Sequence, residues 1–299
     1  MNENFKSGYV GIVGRPNVGK STLLNKLIGQ KIAIISPKPQ TTRGKILAIM
    51  TDEDSQVVFL DTPGFHKPKT KLGENMIKAV SETIADVDVL IMVVEPIAST
   101  TNNEMEIIEK IGDIPCILVI NKADTVLREE LLPVIQHYSE MGIFADIVPM
   151  SAKTGLSVAE LKKVIKSYLD EGPMFYPEDM VTDQQEKQIV AEIIREKMLR
   201  LLDKEVPHGT AVEIIKMKYN GDDDKPTYSI SANIYCEKAS HKGIIIGAGG
   251  AMLKRIGTNA RIECEKMLEA KVFLELWVKV KQDWRNSNNL MKELGLTDQ

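Results

Sequence analysis

The chain has 299 residues, enough for two domains, and its 43% hydrophobic and 27% charged content is that of a globular protein with a real core. Its net charge of −4 excludes a generally basic nucleic-acid coat but leaves room for a local basic patch. Cys116, Cys236 and Cys264 show neither zinc spacing nor a disulfide framework, so a reducing, cytoplasmic setting is expected, with Cys116 and Cys236 as buried strand residues. The N-terminus MNENFKSGYV lacks a signal-peptide pattern, and the longest apolar run, Val89–Val94, is too short to span a bilayer.

From the N-terminus, short apolar strands alternate with amphipathic helices. The strands are expected at Tyr9–Val13, Lys45–Met50, Val57–Leu60, Val89–Val94, Cys116–Ile120 and Ile147–Met150. The helices are expected at Lys20–Ile28, Leu72–Ile84, Asn103–Ile111, Arg128–Met141 and Val158–Leu169, the last capped by Ser157 with Glu160 three residues on. This alternation predicts an α/β domain over residues 1–172, with a mostly parallel sheet and its ligand at the carboxyl edge.

The first motif at that edge is Gly14-Arg15-Pro16-Asn17-Val18-Gly19-Lys20-Ser21, which reads GxxxxGKS between strand and helix. Its glycines let backbone N–H groups converge on phosphates, helped by the helix N-terminus. Lys20 is expected on the outer phosphates, Ser21 on Mg²⁺, and Thr22 within the same binding segment. The second motif, Asp61-Thr62-Pro63-Gly64, follows Val57–Leu60; Asp61 suits the Mg²⁺ shell and the Gly64 amide the terminal phosphate. The third, Asn121-Lys122-Ala123-Asp124, follows Cys116–Ile120. The Asp124 carboxylate can accept from guanine N1–H and N2–H₂, donors that adenine lacks, while Asn121 braces the loop and the Lys122 stem covers the base. The fourth, Ser151-Ala152-Lys153, puts the Ala152 amide where guanine O6 would lie.

The loop Lys31–Gly44 is long, polar and aperiodic, as a switch segment would be. Thr42 is preferred as the hydroxyl that closes on Mg²⁺, with Thr41 as the alternative. In this order the motifs resemble those of the translation-factor-related GTPases. That resemblance implies a P-loop GTPase domain binding GTP or GDP with Mg²⁺ (held by Ser21, Thr42 and Asp61), switch loops at about Lys31–Gly44 and Asp61–Leu72, and hydrolysis of GTP to GDP and phosphate. Lys20, Asn17, Thr42 and Gly64 are the groups expected around the reacting phosphate. Phe65 stands where many such enzymes have a water-orienting glutamine, so slow turnover without RNA or a partner is expected. In GTPases of this kind, an Asn at the place of Asn17 can help hold K⁺; the other reading is a solvated loop residue. Arg15 and Arg43 are candidate arginine fingers, not named as catalytic because loop arginines are usually just solvated.

Glu171-Gly172-Pro173 through Pro177-Glu178-Asp179 breaks the pattern, placing a linker at 173–183 and a smaller α+β domain at 184–299. There a helix is expected over Gln184–Leu202 and a hairpin of Thr210–Tyr219 and Thr227–Tyr235, with Asp222–Asp224 in a solvated turn. Gly247-Ala248-Gly249-Gly250 then separates two helices, and a strand at Val272–Val280 and a final helix at Leu290–Leu296 follow, with frayed last residues. Lys238, Lys242, Lys254, Arg255 and Arg261 make a basic stretch without an acidic residue. This order resembles a type II KH domain, implying an RNA site at Lys242, Ile246, Gly247, Ala248, Gly249, Gly250, Lys254 and Arg255. Trp277 is expected in the core rather than stacked on a base.

A GTPase domain followed by one KH domain, with the QTTR loop and the run LELWVKVK, resembles the Era GTPases over nearly the whole chain. That resemblance implies a factor that binds the single-stranded 3′ end of small-subunit ribosomal RNA, helps the small ribosomal subunit mature and associates with the inner face of the cell membrane; with no hydrophobic anchor in the sequence any such contact is expected to be peripheral, and a monomer is the default. The alternatives are a nucleotide-gated RNA-binding scaffold with negligible hydrolysis, kept open by Phe65, and an ATP-using kinase, opposed by Asp124.

Overall fold

The computed structural model describes residues 5–38, 41–65, 68, 70–221, 225–294 and 296. Pro39 and Gln40 of the first switch segment, parts of the second, Asp222–Asp224 and the last three residues lie outside them. The chain divides into two compact units: the described residues of 1–35, 42–69 and 73–183, and those of 36–41, 70–72 and 184–299.

The first unit is built on β1 (Lys6–Gly14), α1 (Lys20–Ile28), β2 (Ile46–Thr51), β3 (Ser55–Asp61), α2 (Lys71–Ala85) and β4 (Val89–Val94). It continues through α3 (Asn102–Ile108), β5 (Cys116–Ile120), α4 (Arg128–Ser139), β6 (Asp146–Pro149) and α5 (Val158–Ser167). The six strands lie in the order β2-β3-β1-β4-β5-β6, parallel except for β2 against β3. Helices cover both faces, so central strands bury every side chain. In β4, Val89, Ile91 and Val93 enter one core with Leu23, Leu27 and Leu161, while Leu90, Met92 and Val94 enter the other with Val80, Ile84 and Tyr138. Buried parallel strands therefore read as unbroken apolar runs.

One local expectation is corrected. Ser157 occupies the N-cap of α5 but with φ 58, and its side chain makes no cap bond; a left-handed backbone aims the hydroxyl away from the amides it would cap. The segment 173–183, expected as a linker, is strapped to the first unit. Gln56 Oε1 accepts the amides of Phe175 at 2.7 Å and Tyr176 at 3.0 Å. Phe175 also stacks on Tyr9 at 5.2 Å, and Ile49 N donates to Val181 O at 2.9 Å.

The second unit runs α6 (Glu186–Leu201), β7 (Thr210–Tyr219), β8 (Thr227–Cys236), α7 (Ala239–Ile246), α8 (Ala251–Leu268), β9 (Lys271–Val280) and α9 (Asn288–Glu293). Its sheet has the order β7-β8-β9, with β7 antiparallel and β9 parallel to β8. Val190, Ile194, Ile234, Ile256, Ala260 and Val272 join helices and sheet in one core. Trp277 lies outside that core and is 61% exposed. Strand alternation puts Val278 inside and Trp277 on the opposite face. Cys116, Cys236 and Cys264 are all buried, and none of them is in a disulfide.

Candidate nucleotide site and nucleic-acid interface

The four motifs of the first unit follow β1, β3, β5 and β6 and meet at the carboxyl edge of the sheet. Lys20, 6% exposed, reaches back over the phosphate loop and donates to Gly14 O and Arg15 O, each at 3.0 Å. Its ammonium is thus placed where an outer phosphate can replace carbonyl partners. Burial lowers the Lys20 pKa to about 8 against the opposing pull of Asp61.

Ser21 Oγ donates to Asp61 Oδ2 at 2.9 Å and lies 2.9 Å from Thr42 Oγ1. Thr42 Oγ1 is 3.5 Å from the same carboxylate oxygen. The three oxygen-bearing side chains expected around Mg²⁺ are therefore together. Asp61 is fully buried, and its Oδ1 has no hydrogen-bond partner. Burial raises its carboxyl to about 6, although Lys20, Ser21, Thr42 and the Thr62 amide pull the other way. A buried carboxylate with an orphaned oxygen beside two hydroxyls suits a hard divalent cation. The alternative threonine, Thr41, has its hydroxyl bonded to Lys38 O at 2.7 Å.

Thr62 is buried, donating to Ile12 O at 2.8 Å, and Pro63 beside it is also buried. Gly64 lies against the phosphate loop: a Cβ there would meet the Pro16 backbone at 2.8 Å. Phe65 is 4% exposed and packed in the second core with Val13 and Leu60. Its amide donates to Gly14 O at 3.2 Å. The residue after DTPG therefore supplies no polar side chain for a water. Asn17 is exposed on the phosphate loop with φ 66.

Asn121 is the brace between loops. Its Nδ2 donates to Val18 O at 2.8 Å and its Oδ1 accepts the Ala152 amide at 2.9 Å. The Ala152 amide, expected to face guanine O6, is thus engaged by Asn121. Lys122 adopts φ 62 and pairs with Glu95. Asp124 is exposed, Ser151 is wholly buried and Lys153 is exposed. Sequence reasoning missed Glu95 and Glu104. Arg15, considered as a finger, donates to Glu104 Oε1 at 2.8 Å and lies 3.4 Å from Glu95 Oε2.

In the second unit, α7 ends at Ile246 with Gly247 as its C-cap, and α8 starts at Ala251. Gly247, Gly249 and Gly250 have φ of 73, 56 and 82. Lys242, Ala248, Gly249, Lys254 and Arg255 are exposed, while Ile246 is half-buried. Beside this loop lies a groove of about 390 Å³, lined by Gly250, Lys254, Thr258 and Arg261 on one wall and Leu274 and Leu276 on the other. The leucines were missed because their wall comes from β9, distant in sequence. Arg261 is also held by Glu265 at 2.8 Å.

Fold and site together define a GTPase joined to a KH-type RNA-binding domain. The family model described as 50S ribosome-binding GTPase matches residues 9–122, and the KH domain model matches residues 205–285. The chain is 54% identical to GTPase Era of Alkaliphilus oremlandii (strain OhILAs), over 97% of this chain and 99% of that one. With GTPase Era of Clostridium kluyveri it shares 52% over the same fractions. Two Era crystal structures each match with TM-score 0.93 at 40% identity, covering 98% of this chain and 100% of theirs. One is a complex with MgGDPNP and nucleotides 1506–1542 of 16S ribosomal RNA. The other is an Aquifex aeolicus Era variant bound to GDP·AlF4⁻. The chain belongs to the Era family of GTPases.

Proposed function

We propose that this chain is a GTP-hydrolysing switch that binds the 3′ end of small-subunit ribosomal RNA and assists maturation of the small ribosomal subunit. The observation that carries this reading is the convergence of Lys20, Ser21, Thr42 and Asp61 in one unit and a basic GxxG groove in the other. The Era complex with MgGDPNP and 16S ribosomal RNA nucleotides supports the choice of ligands.

In this reading the phosphate loop from Gly14 to Thr22 holds the phosphates, and Lys20 neutralises charge on the outer ones. Ser21, Thr42 and Asp61 would hold Mg²⁺, which would supply positive charge to offset that of the phosphates. The Gly64 amide donates to the γ-phosphate, and Asp124 reads the guanine edge. Asn121 keeps the phosphate and base loops in register. Asn17 would help hold K⁺, which would supply further positive charge; its exposure on the loop leaves the side chain accessible. Phe65 does not orient water, so turnover is slow until RNA or a ribosomal partner adds the missing alignment. Lys242, Ile246, Lys254, Arg255 and the glycine loop Gly247–Gly250 grip single-stranded RNA. The protein acts in the cytoplasm as a monomer. Among the described residues no helix is long and apolar enough to cross a membrane, so membrane contact would be peripheral.

Steady-state GTP hydrolysis in KCl and in NaCl, each with and without RNA of the small-subunit 3′ end, tests this. Acceleration by RNA is expected, together with K⁺ dependence lost in Asn17→Ala. Absence of turnover under all four conditions would leave a nucleotide-gated RNA scaffold.

A further inference from the structure

Strand β9 serves two faces of the second unit. Leu274 and Leu276 turn inward and line the GxxG groove. Lys271, Phe273, Glu275, Trp277 and Lys279 alternate with them on the outer face, and all five are exposed. Phe273 is 63% exposed and Trp277 61%. β9 is an edge strand whose pairing is with β8, so RNA leaving the groove reaches this face by crossing a single strand.

The outer face has the chemistry of a nucleotide platform. Phe273 and Trp277 are four residues apart, about 13 Å along a strand. That is well beyond one stacked step of about 3.4 Å, so the rings suit bases splayed singly rather than a continuous stack. Ser229 lies opposite Phe273 and Ser231 opposite Glu275. Lys218 and Lys216 lie opposite these serines on the far strand and are exposed. The exposed lysines Lys216, Lys218, Lys271 and Lys279 outnumber the acidic groups at the face: Glu275, Glu213 and, from α9, Glu293, whose charge acts on Tyr235. Glu213 is bonded to Tyr235 Oη at 2.5 Å, while Glu275 accepts from Ser231 Oγ at 3.0 Å. A carboxylate set between two rings can accept from an exocyclic amino group such as cytosine N4. An anionic lipid surface offers it no such donor and would be repelled.

We propose that the outer face of the β7-β8-β9 sheet is a second single-stranded RNA platform, continuous with the GxxG groove across β9. Phe273 and Trp277 each stack one base, the lysines carry the backbone, and Glu275 favours a base with an amino group. This rests on the groove being an RNA site, so the test separates the two.

The chain has two tryptophans, and Trp284 is fully buried, with Nε1 bonded to Gly209 O at 2.9 Å. Emission changes on RNA binding therefore report on Trp277. The full chain would be titrated with single-stranded RNA of about four nucleotides, enough for the groove, and of about twelve nucleotides, enough for both surfaces. The longer RNA should quench Trp277, and the shorter should not. Trp277→Ala should weaken the longer RNA about tenfold, the scale of one lost stacked base, and leave the shorter RNA and GTP unchanged. Trp277→Phe should retain most of the affinity, and Glu275→Gln should reduce preference for cytosine over uracil. Unchanged emission at saturating longer RNA, or equal affinity of wild type and Trp277→Ala for it, would overturn the platform. So would a larger response to phosphatidylglycerol vesicles than to RNA at matched salt. Failure of the shorter RNA to bind would count against the groove instead.

Discussion

Arg15 Nε donates to Glu104 Oε1 at 2.8 Å, tying the phosphate loop to the first turn of α3. Glu104 is 1% exposed, and its other oxygen accepts from the Thr101 amide at 2.7 Å and hydroxyl at 2.8 Å. One buried carboxylate thus completes a capping box and holds a phosphate-loop arginine. Glu104→Ala should cost about 1 to 3 kcal/mol, combining a lost cap with a stranded guanidinium. Denaturant unfolding measures it as a lowered midpoint at unchanged slope. Because Arg15 is committed to this contact, Arg15→Ala should lower nucleotide affinity or stability more than turnover at saturating GTP. A collapse of turnover alone would show that Arg15 swings onto the phosphates.

Lys20 is held by two loop carbonyls and faces Asp61. Lys20→Ala should weaken GTP binding by about a hundredfold or more, since charge-assisted bonds to phosphate contribute about 1.5 to 3 kcal/mol each. It also removes the positive charge that holds the Asp61 carboxyl down, so Mg²⁺ dependence should weaken with it. Fluorescent-nucleotide titration with and without Mg²⁺ reads both effects. Near-normal affinity would remove Lys20 from the site.

The Asp61 carboxyl is raised from 3.8 to about 6 by burial. In the folded chain it therefore holds its proton over a pH range where the unfolded chain has lost it. Its ionisation removes stability as pH rises from about 4 to about 6, the reverse of a salt-bridged carboxylate. Cation binding needs the ionised form, so Mg²⁺-dependent nucleotide affinity should fall about tenfold from pH 7 to pH 5. Asp61→Asn should retain only the pH dependence of the nucleotide itself. A wild-type profile identical to that of the variant would mean that Asp61 does not gate the cation.

Much of the site is legible because it is local. GxxxxGKS, DTPG and NKAD each follow an apolar run, and the structure has strands immediately before them. Val89–Val94 and Cys116–Ile120 read directly as strands because both faces are covered. The start of α3 was equally available: Thr101-Asn102-Asn103-Glu104 is a capping-box pattern, and the box forms. Other features are long-range. Nothing near Glu95 in sequence announces its pairing with Lys122 and Arg15. Trp277 shows a different limit: alternation divides a strand into two faces, but only the tertiary fold decides which face is covered.

The GxxG reading makes the sharpest separation between the two units. Gly249 has φ 56, and a Cβ added there would meet nothing within 4 Å. Aspartate tolerates this left-handed region better than most side chains, so Gly249→Asp should fold while placing a negative charge where an RNA phosphate would lie. RNA affinity should fall about tenfold or more, with GTP affinity unchanged. Lys254→Ala with Arg255→Ala supplies a second measure. If each cation meets one phosphate, the slope of log K against log salt should shrink by about 1.4, from about 0.7 per contact on a single strand. Gly249→Asp acts by local repulsion and leaves those cations in place, so most of the salt slope should survive in it. Equal RNA affinity in all these variants would place the RNA elsewhere on the chain.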